Sequence, residues 1–436
     1  MPFAGLDIHK RIVQAVLIAD DGAILRRERF DCTRDELTRF AQQHLGEHYR
    51  VALEATTNTW SVVDALRPLV GEVVVSNPLR TRAIAEAKVK TDKVDALVLA
   101  QLLRADYLPR VWQPDAHTQR IRRQCSRRAS LVSDRTRIKN RLHAVLHQRL
   151  IKAPVADLFS VKGRAWLATL ELDAEGRAAI ESELRLLERI ESEVDASSKR
   201  LAVEGYDDPH VRLLITLPGV DVTVAQTVLA ALGDIQRFRD ADHAASYLGL
   251  VPSTHQSADR CYHGRITKQG NSHARWLLVQ AAQHLSSHPG PLGVFFRRLA
   301  HKKNRNVAVV ATARKLVTIA WHMLKNNEPY RYAIPRTVDT KLAKLRVQAT
   351  GERKAGGVAK GSKRSANYGK GGVRTIPALD TIYQREGLPE IQPLKPAEQL
   401  VLRAQRVATF AGSVRKAKRV PKPKSQQKKG VPTLSS

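Results

Sequence analysis

The strongest constraint on the fold is a stretch of almost unbroken helical signal, residues 115–205. Residues 116–150 read as one long helix bearing ten Lys or Arg and a single acid, Asp134. Its cations include Arg120, Arg123, Arg127, Arg135, Lys139 and Arg141, and Leu131, Ile138, Leu142 and Leu146 supply an apolar stripe. Further on, Ile180, Leu187, Val194 and Leu201 recur every seven residues, with Leu184 and Ile190 adding to the seam. That repeat makes a coiled-coil candidate. Glu191 and Ser198 occupy alternate core positions, so an ordinary packed helical hairpin competes with it equally. Either solution is an elongated arm, which predicts a globular part on each side of it. Ten nearly unopposed cations in one helix repel one another unless phosphates neutralise them, so this helix is expected to contact nucleic acid. A solvated helix face is the competing reading.

The rest of the composition agrees with a polyanion partner. Lys and Arg total 73 against 42 Asp and Glu, a formal charge of +31. A chain of 436 residues has room for two or three domains. No apolar run approaches the roughly 20 residues needed to cross a bilayer. The amino terminus has no charged segment leading into an apolar one, so neither a membrane nor a signal peptide is expected. Cys32, Cys125 and Cys261 are scattered without CxxC spacing, which argues against a disulfide framework or a zinc site. A reducing cytoplasm, in association with the nucleoid, is the expected location.

Residues 1–110 alternate strand and helix signals. An apolar run over 3–19, a tight turn at Asp21-Gly22 and a second run over Ala23–Phe30 read as a β-hairpin. Strands follow at Tyr49–Leu53 and Glu72–Val75. Helices are expected at Asp35–Leu45, at Thr59–Leu69, from Pro78, and from an N-cap at Thr91 to about Tyr107. The pattern predicts an α/β domain, a mixed sheet covered by helices. Four acids stand out there. Asp7 lies inside the first apolar strand, Glu54 ends a later one, and Asp92 and Asp95 share one helix face. Such carboxylates can converge on one sheet edge and bind hard divalent cations such as Mg2+, two of which activate a nucleophile at a phosphodiester. Surface acids are common, and a first-turn pair also suits the helix dipole. Asp7 is harder to dismiss, because an acid in an apolar strand needs a partner or a metal.

Residues 206–330 read as a mostly α-helical domain. Val211–Leu217 and Val222–Leu232 flank the turn Pro218-Gly219-Val220, whose amides could hold a phosphate or whose helices could simply pack. Ala241–Leu248, Ala274–Leu285 and Val307–Met323 are further helices. Between them, Leu250 to Asn271 reads as a polar, basic loop with Ser253 and Ser257, and Ser272 follows directly. Loops of this composition on an apolar scaffold often carry chemistry. From 341 to 436 the chain is expected to be a disordered basic tail. Residues 351–436 hold 19 Lys or Arg and 5 acids amid much Gly, Pro and Ser.

Taken together, Gly5-Leu6-Asp7-Ile8-His9-Lys10, Leu53-Glu54-Ala55-Thr56 and Lys90-Thr91-Asp92-Lys93-Val94-Asp95-Ala96 resemble the amino-terminal DEDD domain of transposases of the insertion-sequence 110 family. Leu217-Pro218-Gly219-Val220, Phe238, Tyr247-Leu248-Gly249-Leu250-Val251-Pro252 and Gly264-Arg265-Ile266-Thr267-Lys268-Gln269-Gly270-Asn271 resemble that family's second domain, in the same order. The resemblance covers roughly residues 3–325. It implies a RuvC-like, ribonuclease-H-type first domain with Asp7, Glu54, Asp92 and Asp95 as magnesium ligands. It also implies a nucleophilic serine that forms a phosphoserine link to DNA, guidance by a structured bridge RNA, and a homo-oligomer, dimer or tetramer, that shares active sites between protomers. The family's Ser-Gly is Ser257-Ala258 here, which places the nucleophile at Ser257, with Ser253 and Ser272 as competitors. Arg265, Lys268 and Arg275 are candidates to neutralise charge at the reacting phosphate. His255 and His263 are candidate proton carriers or surface contacts. Two other functions fit the same residues: a non-catalytic nucleic-acid-binding protein with a degenerate nuclease fold, and a junction nuclease that hydrolyses with water.

Overall fold

The first strand, β1 (Phe3–Ile8), is buried along nearly its whole length and sits at the centre of a five-stranded sheet. In the computed structural model, which describes residues 1–84, 92–257, 260–352 and 373–421, the chain forms two units, Met1–Asp115 and Ala116–Ser436. In the first unit, β2 (Ile12–Ile18) pairs antiparallel with β1, and β3 (Ile24–Asp31) pairs antiparallel with β2. The single apolar run expected over 3–19 is therefore two strands. The residues His9–Arg11 turn the chain, and the His9 amide donates to the Ile12 carbonyl at 2.9 Å. β4 (Arg50–Glu54) lies parallel to β1, and β5 (Glu72–Ser76) parallel to β4, giving the order β3-β2-β1-β4-β5.

Helices cover both faces of this sheet, which is why its central strands read as continuous apolar runs. α1 (Arg34–His44), capped by Thr33 accepting from the Glu36 amide, and α2 (Thr59–Leu66) share a core with Leu6, Ile8, Val51 and Leu53. α3 (Pro78–Ile84) follows β5. On the opposite face, α4 (Asp92–Arg104) packs Ala96, Leu99, Ala100 and Leu103 against Phe3, Val16, Ile18 and Ala52. Gly5 lets that helix come close: a Cβ there would lie 1.9 Å from the Ala96 carbonyl oxygen.

The second unit begins with the arm. α5 (Ala116–Gln148) and α7 (Ala174–Tyr206) run antiparallel, joined through α6 (Val161–Thr169). The pairs Arg120–Glu204, Arg141–Glu183 and Arg149–Asp173 fix the direction, since one number rises as the other falls. Ile180 and Leu187 pack against Ile138, Leu142 and Leu146, so the heptad seam is spent within the hairpin. This corrects the charge argument in part: Arg120, Lys139 and Arg141 of α5 face the acids Glu204, Glu191 and Glu183 of α7. Nor is the arm a free-standing part. Ile121, Cys125 and Leu201 form a cluster with Ala230 of α9 (Val222–Leu232).

The remaining helices are α8 (Pro209–Ile215), α10 (Ala241–Tyr247), α11 (Ser272–Gln283), α12 (Pro291–Lys302), α13 (Arg305–Asn326) and α14 (Pro335–Thr350). They enclose one large core. α13 has the length and hydropathy of a membrane span, contrary to the expectation that no segment would, yet Ala308, Leu316, Val317 and Ala320 are buried in that core. The expected disordered tail is also corrected. β8 (Val373–Ile376), α15 (Leu379–Arg385), α16 (Pro396–Ala404), α17 (Ala408–Ser413) and β9 (Lys418–Pro421) are ordered elements. Leu379, Ile382 and Tyr383 join the main core, and the Tyr383 hydroxyl donates to the Tyr330 carbonyl at 2.7 Å. Bulk composition concealed an apolar island amid Gly, Ser and Lys. The expectation for 353–372 and 422–436 falls outside the described residues.

Candidate functional site

Strand alternation sets the acidic edge. Phe3 faces α4, so Gly5 and Asp7 do too, and Glu54 follows from Ala52 in the same way. The parallel register runs to Leu6 opposite Leu53, which leaves Asp7 and Glu54 as the next residues of neighbouring strands. The direction of α4 places its first turn at this end. Its last residue, Arg104, donates to the Asp20 carbonyl at 3.2 Å, beyond the Ile18 end of β2, and Ile18 pairs with Phe3. The Gly5–Ala96 crossing lies between. Asp95 therefore approaches the Asp7 end of the sheet, and Asp92 opens the same helix one turn before Ala96. The Asp92 side chain lies outside the described residues.

Asp7 is mostly enclosed, with 19% of its side chain exposed, and its Oδ2 lies 3.0 Å from His9 Nε2. His9 was not singled out from the sequence. It lies just past the end of β1, where the chain turns, so strand alternation alone did not point to it. Gln14 pairs across from Asp7, is buried, and donates to the Glu28 carbonyl at 3.0 Å. Among the described residues no three His, Cys, Asp or Glu side chains form a metal-holding group. Asp7, Glu54 and Asp95 would offer only carboxylate oxygens, the ligand type that hard divalent ions take.

In the second unit, the expected loop at 250–271 is a β-hairpin, β6 (Pro252–Ser257) against β7 (Arg260–Ile266). Polar composition obscured it, because an exposed ribbon need not alternate apolar and polar residues. Its base is tightly built. Gly249 and Gly270 have φ of 67° and 72°, and a Cβ on Gly270 would lie 2.0 Å from the Tyr247 carbonyl oxygen. Arg275 donates to the carbonyls of Leu248 and Gln269 at 3.0 and 2.9 Å. It braces the base of the hairpin through one guanidinium nitrogen, and burial lowers its pKa. Arg265 and Lys268 are exposed, and no acid among the described residues pairs with them.

The three candidate serines separate by position. Ser257 ends β6 opposite Arg260, at the far tip of the ribbon. Ser253 sits at its foot, where a Cβ on Gly264 would come within 2.4 Å of its hydroxyl oxygen. Ser272 opens α11 behind the cap Asn271, whose Oδ1 accepts from the Ala274 amide at 2.9 Å. Ala258 and Asp259, and the side chains of His255, Ser257 and His263, lie outside the described residues.

On the arm, Arg120 pairs with Glu204 at 3.2 Å and Arg141 with Glu183 at 2.8 Å, while Lys139 is 3.8 Å from Glu191 and 4.5 Å over the Phe159 ring. Arg123 donates to Gln119 at 3.5 Å, and no acid among the described residues pairs with it. Arg127 is exposed without an acid partner among the described residues, and Arg135 is half-buried. Two arginines not singled out have structural roles. Arg122 donates to the carbonyls of Ala230 and Ala231 at 2.7 and 3.2 Å, and Arg128 to Ser198 at 2.8 Å. The turn at Pro218-Gly219-Val220 abuts Ala281 of α11, and Lys341 of α14 donates to the carbonyls of Ile215, Leu217 and Val220. Burial pushes Lys341 down to about 7. These contacts favour the packing reading of that turn.

Comparison with known proteins gives two family matches. Residues 4–150 match a DEDD family described as "Transposase", and residues 211–294 match one described as "Transposase IS116/IS110/IS902 family". The transposase for insertion sequence element IS1111A of Coxiella burnetii is 31% identical over 150 residues, covering 34% of this chain and 41% of that one. An insertion element IS116 protein of Streptomyces clavuligerus is 24% identical over 391 residues, covering 77% and 97%. The pilin gene-inverting protein of Moraxella bovis is 27% identical over 313 residues, covering 68% and 86%.

Proposed function

Because the chain belongs to the insertion-sequence 110 family of transposases, we propose that it cuts and rejoins DNA by a serine nucleophile, Ser257, working with Mg2+ held by Asp7, Glu54, Asp92 and Asp95. The observation that carries this reading is the placement of Asp7 and Glu54 side by side on the face that α4 crosses, with the first turn of α4 at the same end. The strand order and the mix of antiparallel and parallel pairing support a RuvC-like, ribonuclease-H-type unit.

Asp7, Glu54, Asp92 and Asp95 would hold a divalent ion, which would supply Lewis-acid stabilisation to the charge on a phosphodiester under attack. Ser257 Oγ forms a bond to phosphorus as the bond from phosphorus to the departing sugar oxygen breaks, and the serine proton ends on that oxygen. The step exchanges one phosphodiester for another, so reversal rejoins DNA without an external energy source. Arg265 and Lys268 at the hairpin bear positive charge suited to the phosphate oxygens. Donor and target DNA are the substrates, a structured bridge RNA the guide, and a homo-oligomer, dimer or tetramer, the active form, with acids and serine drawn from different protomers. The charge of +31 supports polyanion binding on this scale. A relative named for inverting a pilin gene supports recombination as the outcome.

The test traps protein on a suicide DNA substrate and maps the adduct by mass spectrometry. Ser257→Ala is expected to abolish the adduct, and Asp7→Ala to abolish cleavage while DNA binding persists. An adduct that survives in Ser257→Ala removes the nucleophile assignment. Magnesium-dependent cleavage without any adduct favours the hydrolytic nuclease.

A further inference from the structure

A cavity of about 680 Å³ in the second unit lies between α12, α13, the segment at 328–332 and α16, with most of its lining beyond the second family match. Its wall combines two chemistries. Phe295, Ile319 and Tyr332 are half-buried and give an aromatic and aliphatic lining. Arg298, Lys315 and Lys395 are exposed at its edge, and no carboxylate among the described residues forms an ion pair with their side chains, although the Lys395 backbone amide donates to Glu398 at 3.1 Å. The two acids in the wall, Glu328 and Glu398, are both held by Arg331 at 2.9 Å. The cavity is therefore net cationic with a flat apolar interior, and its volume falls in the range of about 300–1,000 Å³ typical of small-molecule sites.

We propose that this cavity takes a single unpaired nucleotide, its base against Phe295, Ile319 and Tyr332 and its phosphate at Arg298, Lys315 and Lys395. The charge argument selects an anion, and the lining selects one joined to a ring. A base within a duplex must first be unstacked and unpaired to enter, which favours a strand that is already single. Aromatic stacking beside a cationic track is the general way in which proteins hold such strands without reading sequence. The inference rests on the nucleic-acid function proposed above, and it deepens that reading by assigning the carboxy-terminal segment a part in gripping unpaired strand. The same chemistry is shared by a free mononucleotide, so the experiment must separate the two sources.

The experiment uses the full-length protein and fluorescence anisotropy with a short single strand and a blunt duplex of equal length. The double variant Arg298→Glu, Lys315→Glu changes exposed positions, and an unchanged melting temperature verifies its fold. Single-strand affinity is expected to fall about tenfold or more, with duplex affinity changing several times less. A strand carrying 5-iodouracil should crosslink to Phe295 or Tyr332 in the wild type. Competition by a nucleoside monophosphate at concentrations comparable to the strand, with no crosslink to the strand, would identify the free nucleotide as occupant. Equal loss for strand and duplex, or crosslinks only outside the cavity, overturns the proposal. Failure of the wild type to bind any nucleic acid instead overturns the proposed function on which it rests.

Discussion

At the scale of single residues, His288 shows how a buried group ties stability to pH. Its Nδ1 accepts from the Gly290 amide at 3.1 Å, so the ring is neutral, and Nε2 is enclosed without a partner among the described residues. Burial, aided by Arg297 and Lys341, pushes it from 6.5 down to about 4. Between those values the unfolded chain binds a proton that the folded one refuses, so stability falls as pH drops through 6.5 and stops falling near 4. The cost is about 1.4 kcal/mol per pH unit and roughly 3 kcal/mol in all. Urea unfolding of wild type and His288→Asn at pH 7 and pH 5 checks this, with the variant expected to lose less stability on acidification. An equal loss in both would place the titration elsewhere. Nothing in the sequence marked His288, whose environment is assembled from α12 and α14. Asp7 and Glu54 were legible because an acid on an otherwise apolar strand breaks the local pattern. The roles of Arg275 and Lys341 were not, since the carbonyls they hold belong to other elements.

At the scale of elements, the long helices α5 and α7 were legible from periodicity, and of the two pairings it left open, coiled coil or helical hairpin, the structure has the hairpin. A seam of Ile180, Leu187, Val194 and Leu201 reads alike whether its partner is another copy or the preceding helix. The hairpin partner decides which cations remain available for phosphate. Arg141, now paired with Glu183, becomes available in Glu183→Ala. Exposed ion pairs contribute only about 0.2–1 kcal/mol, so the stability change should be small. Affinity for DNA should rise, and the slope of log K against log salt should steepen by about 0.9 if the freed arginine meets one more phosphate. Anisotropy titrations across a salt series measure it, and an unchanged slope would place Arg141 away from the DNA. The same limit on local reasoning explains the hairpin β6–β7. Its residues carry no alternation to announce a strand, and only the glycines at its base hinted at tight backbone geometry.

At the scale of the whole chain, the α/β character of the first part was legible, because strand and helix signals alternate up to the breaks at Pro109 and Pro114, whereas the arm, expected as a separate part, belongs to the second unit. The carboxy-terminal elements were not legible. Averaged over 86 residues, Lys, Gly and Ser outweigh the few apolar positions that count, among them Leu379, Ile382 and Tyr383. Ending the chain at Glu352 removes all three from the core of the second unit. Each is worth about 1.5–3 kcal/mol of burial, so a loss of at least about 4 kcal/mol is expected. Scanning calorimetry should show that transition shifted or missing, with the transition of residues 1–115 unchanged. A truncated chain that melts like the full one would show that the packing of α15 is dispensable.

The contact made by Tyr383 also bears on synthesis. Thr216 accepts from the Tyr330 amide at 3.0 Å, and Tyr383 closes over the Tyr330 carbonyl. A ribosome adding about 5–20 residues per second finishes the acid-bearing unit long before Tyr383 emerges. Until then the serine-bearing unit waits with an open core. A messenger cut short between Asp115 and Tyr383 then yields a chain whose first unit is whole and whose second unit lacks part of its core.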